Sequence, residues 1–186
     1  MTIASAPFAD LAAVADATRA TSKRLEKMAL LGAYFAGLDD DDLGRACRFL
    51  AGRPFPAHDE RTLNVGGSAV IAVLCDLAGI APEDYGAHHV RTGDIGDVAA
   101  EILPPAPVTA GLPLTLAEVG TAYDELAATA GTGAKAVLLR ALLARAGANE
   151  AKYLIKICTG EMRTGVKESL IEEALDRLGA GDYGIC

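Results

Sequence analysis

The chain has 186 residues, a formal charge of -8 and an isoelectric point near 4.8, with no Trp and 5% aromatic residues. That length suffices for one well-buried domain, whose core must come mainly from Leu, Ala, Val and Ile. No apolar run reaches the ~20 residues of a spanning helix, and the start Met-Thr-Ile-Ala-Ser-Ala lacks the charged and apolar regions of a signal peptide. The expectation is a cytoplasmic protein with no membrane partner. Cys47, Cys75, Cys158 and Cys186 form no Cys-x-x-Cys and lie far apart, three of them in apolar helical patterns, which predicts reduced core thiols.

In chain order, Ser5 with Pro7 behind it opens a helix that Phe8, Leu11, Val14 and Ala15 carry to about Ala17. Thr21-Ser22 can cap a second, Lys23 to about Ala36, with Leu25, Met28, Ala29 and Leu30 or Leu31 as its apolar face. The run Asp39 to Asp42 caps a third helix through Leu50, with Leu43, Ala46, Cys47 and Leu50 inward; capping explains the acids better than a metal site. Ala51 to Asn64, with Gly52, Pro54 and Pro56, reads as an irregular connection. Val65-Gly66-Gly67-Ser68 lacks the Gly-Lys-Ser/Thr ending of a nucleotide loop, and the almost wholly apolar Ala69 to Leu77 that follows predicts a centrally buried helix.

Ala81-Pro82-Glu83-Asp84 starts a helix containing His88 and His89, and Thr92-Gly93-Asp94-Ile95-Gly96-Asp97 starts another ending near Leu103. Adjacent histidines point about 100° apart on a helix, and no i, i+4 pair supports a metal site. A Pro-rich crossing, 104–113, can join two lobes of one domain. Thr115 and Glu118 form a capping box for a helix to about Thr129 with Leu116, Val119, Tyr123 and Leu126 inward. Gly131-Thr132-Gly133 leads into a helix from Ala134 to about Arg145, with Lys135 in its first turn and Val137, Leu138, Ala141, Leu142 and Ala144 inward. In the next helix Ala151, Leu154, Ile155 and Cys158 share a face, which leaves Lys152 and Lys156, four apart, outward together. A turn, Gly160-Glu161-Met162-Arg163-Thr164-Gly165, then passes to a last helix, Val166 to Leu178, closed by Gly179. Residues 179–186 read as a flexible tail. No segment shows strict alternation with β-branched enrichment, so the fold class is all-α, a compact multi-helix domain of about nine to ten helices over residues 5–178.

Three turns share one design: Thr21-Ser22-Lys23, Gly131-Thr132-Gly133 with Lys135, and Gly160 to Val166 with Arg163, the last preceded by Lys152. Each sets small or hydroxyl residues and a cation at a helix start, where N–H groups without intrahelical partners favour an anion. Charge distribution permits such a role despite the acidic total. From Gly133 to Lys167 seven basic residues face two acidic ones, whereas Asp39 to Glu101 holds twelve acidic and five basic residues. Phosphates held by N–H groups, hydroxyls and cations carry no sequence information, and no helix rich in Asn, Gln and Arg stands out.

Glu150-Ala151-Lys152-Tyr153-Leu154, followed by Thr159-Gly160-x-Met162-Arg163-x-Gly165-Val166, resembles the end of the N-terminal DNA-binding domain of archaeal and eukaryotic ATP-dependent DNA ligases. Gly93-Asp94-x-Gly96 is similar to a fold motif of the same family, and the likeness extends from Phe8 to Leu178. One departure stands in the loop, where Glu161 replaces the family's first arginine. The resemblance implies a ligase DNA-binding-domain-like fold. It also implies contacts to the DNA backbone from Thr21, Ser22, Lys23, Gly131, Thr132, Gly133, Lys135, Lys152, Gly160, Arg163, Gly165 and Val166, docked across the minor groove of nicked double-stranded DNA. The implied setting is DNA replication, repair and recombination, with ligase catalytic domains as partners in cis or in trans. No Lys-x-Asp-Gly adenylation motif occurs, so the expectation is no catalytic residue, metal or cofactor in this chain, with ATP and Mg belonging to the intact ligase. A standalone, non-catalytic helical interaction protein with a ligase-like scaffold is the alternative. Glu161 and the acidic isoelectric point favour it; Arg163, its flanking glycines and the basic third quarter favour DNA.

Overall fold

A computed structural model describes residues 5–104 and 113–179, among which ten helices and no strand occur. They are α1 (Phe8–Ala20), α2 (Arg24–Phe35), α3 (Asp40–Leu50), α4 (Gly67–Ala78), α5 (Pro82–Thr92), α6 (Ile95–Ile102), α7 (Leu116–Ala128), α8 (Thr132–Leu143), α9 (Ala148–Thr159) and α10 (Glu168–Leu178). Most of the Pro-rich crossing and the tail beyond Gly179, with Cys186, fall outside the described residues. One hydrophobic cluster draws buried side chains from all ten helices, on both sides of 105–112.

α9 is the hub. It packs along α6 on one side and α1 on another, while α10 lies on α2, α8 on α4 and α7, and α7 on α3. An aromatic line joins these layers: Phe8 of α1 meets Phe49 of α3 edge-on at 6.4 Å, and Phe49 meets Tyr123 of α7 at 5.7 Å. Tyr123 then donates its hydroxyl proton to the Leu154 carbonyl of α9 at 3.0 Å, so the one polar atom of this buried ring is satisfied. The N-terminal strap ties α1 to α7 by antiparallel bonds, Phe8 N–H to Leu114 O and Leu116 N–H to Ala6 O.

Several expectations shift for local reasons. Ser5 does not cap α1, whose N-cap is Pro7; its hydroxyl donates to Asp42 and accepts the Ala117 N–H instead. Lys23, with no side-chain cap, precedes α2, while Thr21 accepts the Lys23 N–H and donates to Glu26. The inward face of α2 is Lys27, Met28, Leu31 and Phe35, leaving Leu25 69% exposed and Ala29 at the surface. On α8 it is Lys135, Leu139, Leu142 and Leu143, leaving Val137 and Ala141 exposed. In both helices leucine doublets allow two phases of the apolar stripe, and the phase adopted is the one that carries a lysine inward. α4 is buried on one side only, through Ala69, Val70, Val73, Leu74 and Cys75, because Ala72 and Asp76 face out. The capping box of α7 and its four core residues stand as expected.

The tightest approach is between α6 and α9. A Cβ placed on Gly96 would stand 2.8 Å from the Lys152 carbonyl oxygen and 2.7 Å from Lys156 Cγ. A backbone oxygen cannot swing aside, so only glycine lets the two helices meet at this distance. Gly96→Ala should therefore lower stability by about 1–3 kcal/mol, read as a lower urea midpoint with unchanged slope. Gly86→Ala, at an exposed α5 site with nothing within 4 Å of the added carbon, should be neutral or slightly stabilising.

Candidate nucleic-acid interface

Lys152 and Lys156 do not face solvent. Lys156 is fully buried against α6, its ammonium 2.5 Å from the Asp94 carboxylate. Lys152 reaches Asp16 of α1 at 2.6 Å and Asp97 at 3.6 Å. Arg19 of α1 pairs with Asp97 through two parallel bonds of 2.6 and 2.8 Å, and Arg163 lies 3.4 Å from Asp94 and 2.9 Å from Glu161. Lys156 also lies 4.0 Å from Asp97, which links these four cations and four carboxylates into one network that runs from α1 over the α6–α9 crossing to the last loop. Much of the basic surplus counted along the sequence is neutralised inside it. The outward assignment of the two lysines fails because Gly96 lets α6 approach so closely that the lysine face of α9 becomes a packed face.

The network positions the loop between α9 and α10. Asp94 caps α6 by accepting the Asp97 N–H at 3.0 Å, which fixes the carboxylate that meets Lys156 and Arg163. α9 closes on Gly160, with φ +73°, while the Glu161 N–H returns to the Lys156 carbonyl. Met162 then turns inward against Gly52, and Thr164 is buried with its carbonyl accepting from Lys27 of α2. Gly165, with φ +67°, passes so near this ammonium that a Cβ would stand 2.7 Å from it. Arg163 points outward between these anchors with φ +50°, a left-handed conformation unusual for a residue with a side chain. Its guanidinium donates to the Gly93 carbonyl at 2.9 Å and remains 52% exposed. The Val166 N–H donates to Thr164 Oγ1, and α10 begins at Glu168 rather than Val166. That amide is accordingly spent inside the loop.

The first turn lies beside this loop, since α2 is tied to it by Lys27 and to α10 by an Arg24–Glu173 ion pair. Ser22 is exposed, and Lys23 is 75% exposed although paired with Glu26 at 2.7 Å. The second turn keeps Gly131, Thr132 and Gly133 exposed at the start of α8, where Gly131 has φ +88° and supplies no side-chain cap. Lys135, however, is buried and donates to the Leu63 carbonyl, so it holds the 51–66 segment and offers no free ammonium. Residues that composition did not single out, Lys27, Asp16, Asp94, Asp97 and Thr164, build the scaffold. Lys27 is detectable in the sequence, because Lys27, Leu31 and Phe35 follow at i, i+4 and i+8. Lys167, exposed and without an ion pair among the described residues, adds a cation to the loop's far end. No group of His, Cys, Asp and Glu among the described residues could hold a metal ion, and no described helix is long and apolar enough to cross a membrane.

The sequence model for the family described as DNA ligase N terminus matches residues 7–176. The chain belongs to that family. It is 43% identical over 168 residues to a protein named probable DNA ligase of Koribacter versatilis, covering 89% of this chain and 28% of that protein. It is 37% identical over 200 residues to the probable DNA ligase of Opitutus terrae, covering 90% and 20%, and 32% identical over 174 residues to the DNA ligase of Methanopyrus kandleri, covering 90% and 31%. The chain thus spans between 20% and 31% of the length of these relatives.

The network of this ligase N-terminal domain sets its acid response. Asp97 is held below the ordinary carboxylate range first by its hydrogen bonds from Arg19. Burial alone would raise Asp16, but the bonds from Lys152 and Tyr153 outweigh it and lower it. The folded state therefore binds fewer protons than the unfolded chain through the acid range. The stabilisation is complete above about pH 4 and is lost as pH falls through the lowered values. Asp97→Asn should be less stable at neutral pH and lose less further stability on acidification than wild type, in urea unfolding followed across that range.

Proposed function

We propose that this domain binds double-stranded DNA without sequence preference, as the phosphate-backbone clamp of an ATP-dependent DNA ligase. The observation that carries the reading is Arg163, held half-exposed in a left-handed conformation on a loop braced from below by Lys27 and from the side by Asp94. A rigid loop with a projecting guanidinium suits a phosphate, whose oxygens match the planar fork. The exposed starts of α2 and α8, at Ser22-Lys23 and Gly131-Thr132-Gly133, extend the surface with backbone N–H donors. Lys135 and Lys152 serve this surface indirectly, by fixing the segments behind it. Membership of the ligase family supports the reading and does not favour the standalone interaction protein.

In this reading the duplex is nicked and the domain works in replication, repair and recombination in the cytoplasm. With no Lys-x-Asp-Gly motif in the chain, adenylation and sealing fall to ligase catalytic domains in cis or in trans, which bring the ATP and Mg chemistry. Glu161 tempers the contact, since it takes one of the Arg163 nitrogens at 2.9 Å.

Duplex DNA should bind with affinity that falls as salt rises, because neutralised phosphates release counterions. Arg163→Ala should weaken all sequences alike and reduce the log-log salt slope by about 0.9 for one lost phosphate contact. Glu161→Arg should raise affinity by freeing that nitrogen and adding a cation. Fluorescence anisotropy with labelled duplexes over a salt series measures all three. Absence of binding at low salt in both wild type and Glu161→Arg would overturn the reading.

A further inference from the structure

We propose that the cleft between α3, the 51–66 segment and α7 is a second, separate oxyanion site that takes a phosphate group, with Arg48 as its principal ligand. The cleft has a volume of about 230 Å³, and Arg45, Arg48 and Arg61 converge on it. One carboxylate, Asp124, lines it, and that group is held by Arg61 at 2.9 Å.

The three arginines are not equivalent. Arg45 is fixed by Asp42 at 2.9 Å. Arg61 is fixed three times, by Asp59 at 2.7 Å, by Asp124 at 2.9 Å and by stacking over the Phe55 ring at 4.4 Å. Arg48 forms no ion pair among the described residues, and its Nε is sealed from solvent with no acceptor. A buried donor left without a partner is costly, and more so on a charged group. The fold adds a like charge beside it, because Arg45 and Arg48 stand i, i+3 on one face of α3. Burial first and then the neighbouring Arg45 hold the Arg48 guanidinium below the ordinary arginine value, against a weaker opposing pull from Asp124. An anion in the cleft offsets this repulsion and pairs the one arginine of the three that has no carboxylate partner among the described residues.

Geometry selects the anion. A carboxylate offers two oxygens in one plane, which a single guanidinium fork satisfies. Three guanidinia arriving from α3 and from the 51–66 segment suit a tetrahedral oxyanion, whose oxygens point in different directions. The shared chemistry is a phosphate group, either free or part of a nucleic-acid backbone.

Calorimetric titration of the full chain with inorganic phosphate at fixed ionic strength tests the site, because phosphate also stabilises folded proteins by exclusion and a melting shift alone would not discriminate. Wild type should bind one phosphate per chain. Arg48→Met should weaken binding roughly tenfold or more, Arg48→Lys should retain part of it, and Arg163→Ala should leave it unchanged. The same variants titrated with duplex DNA separate the sources. If Arg48→Met leaves DNA affinity intact, the site takes free phosphate; if DNA affinity falls in step, it takes a backbone phosphate. Absence of phosphate binding by wild type, or equal binding by folded Arg48→Met and Arg48→Lys, would overturn the proposal. Neither result bears on the Arg163 loop, which the Arg163→Ala titration reads independently.

Discussion

The Lys156–Asp94 pair at the α6–α9 crossing is the interaction on which the rest depends. An isolated buried charge is costly, and breaking such a pair from one side costs about 3–5 kcal/mol. The chain meets that constraint by capping Asp94 into α6 and by bringing α6 in over Gly96, so that the lysine reaches its partner at 2.5 Å. Asp94 also faces Arg163. One carboxylate thereby joins the packing of two helices to the pose of the exposed guanidinium.

Three buried lysines follow a common plan. Lys27 ends on the Thr164 carbonyl, Lys135 on the Leu63 carbonyl and Lys156 on Asp94, each crossing from a helix to an irregular segment or a helix cap. An ammonium carries three donors on a flexible apolar stem, so it can line a core with its methylenes and satisfy backbone oxygens at its tip. Loops in this fold are consequently fixed by cross-links from the helices behind them. This explains how a chain of charge -8 can keep a defined basic feature at one loop: many cations are consumed internally, and those left outside are few and placed.

The all-helical architecture was legible because its signals are local. The Thr115–Glu118 box, the Asp39 cap and the glycines at positions 160 and 179 end or begin helices by short-range chemistry. The loop from Gly160 to Gly165 was legible for the same reason and through its likeness to the ligase family. What was not legible is which cations face out. Lys152 and Lys156 sit opposite one apolar stripe of α9, and periodicity alone places them in solvent; only the arrival of α6, sequentially some 60 residues away, makes theirs a second packed face. Lys135 was hidden by leucine doublets that leave the phase of α8 open, whereas Lys27 shares the i, i+4, i+8 spacing of Leu31 and Phe35. The distinction between a cation for phosphate and a cation for the scaffold is tertiary, and charge counting cannot make it.

Membership of the DNA ligase N terminus family accounts for the fold, while the proposed DNA contact rests on how firmly the fold holds Arg163. The coupling between the two is measurable with Asp94→Asn combined with Lys156→Met, which removes both charges of the buried pair together and so avoids leaving either uncompensated. Duplex DNA affinity of this double variant, at a salt concentration where wild type is half-saturated, tests the account most directly. The account predicts a folded domain whose affinity falls toward that of Arg163→Ala, because the guanidinium has lost the carboxylate that orients it. Wild-type affinity in the double variant, with Arg163→Ala still impaired, would contradict it.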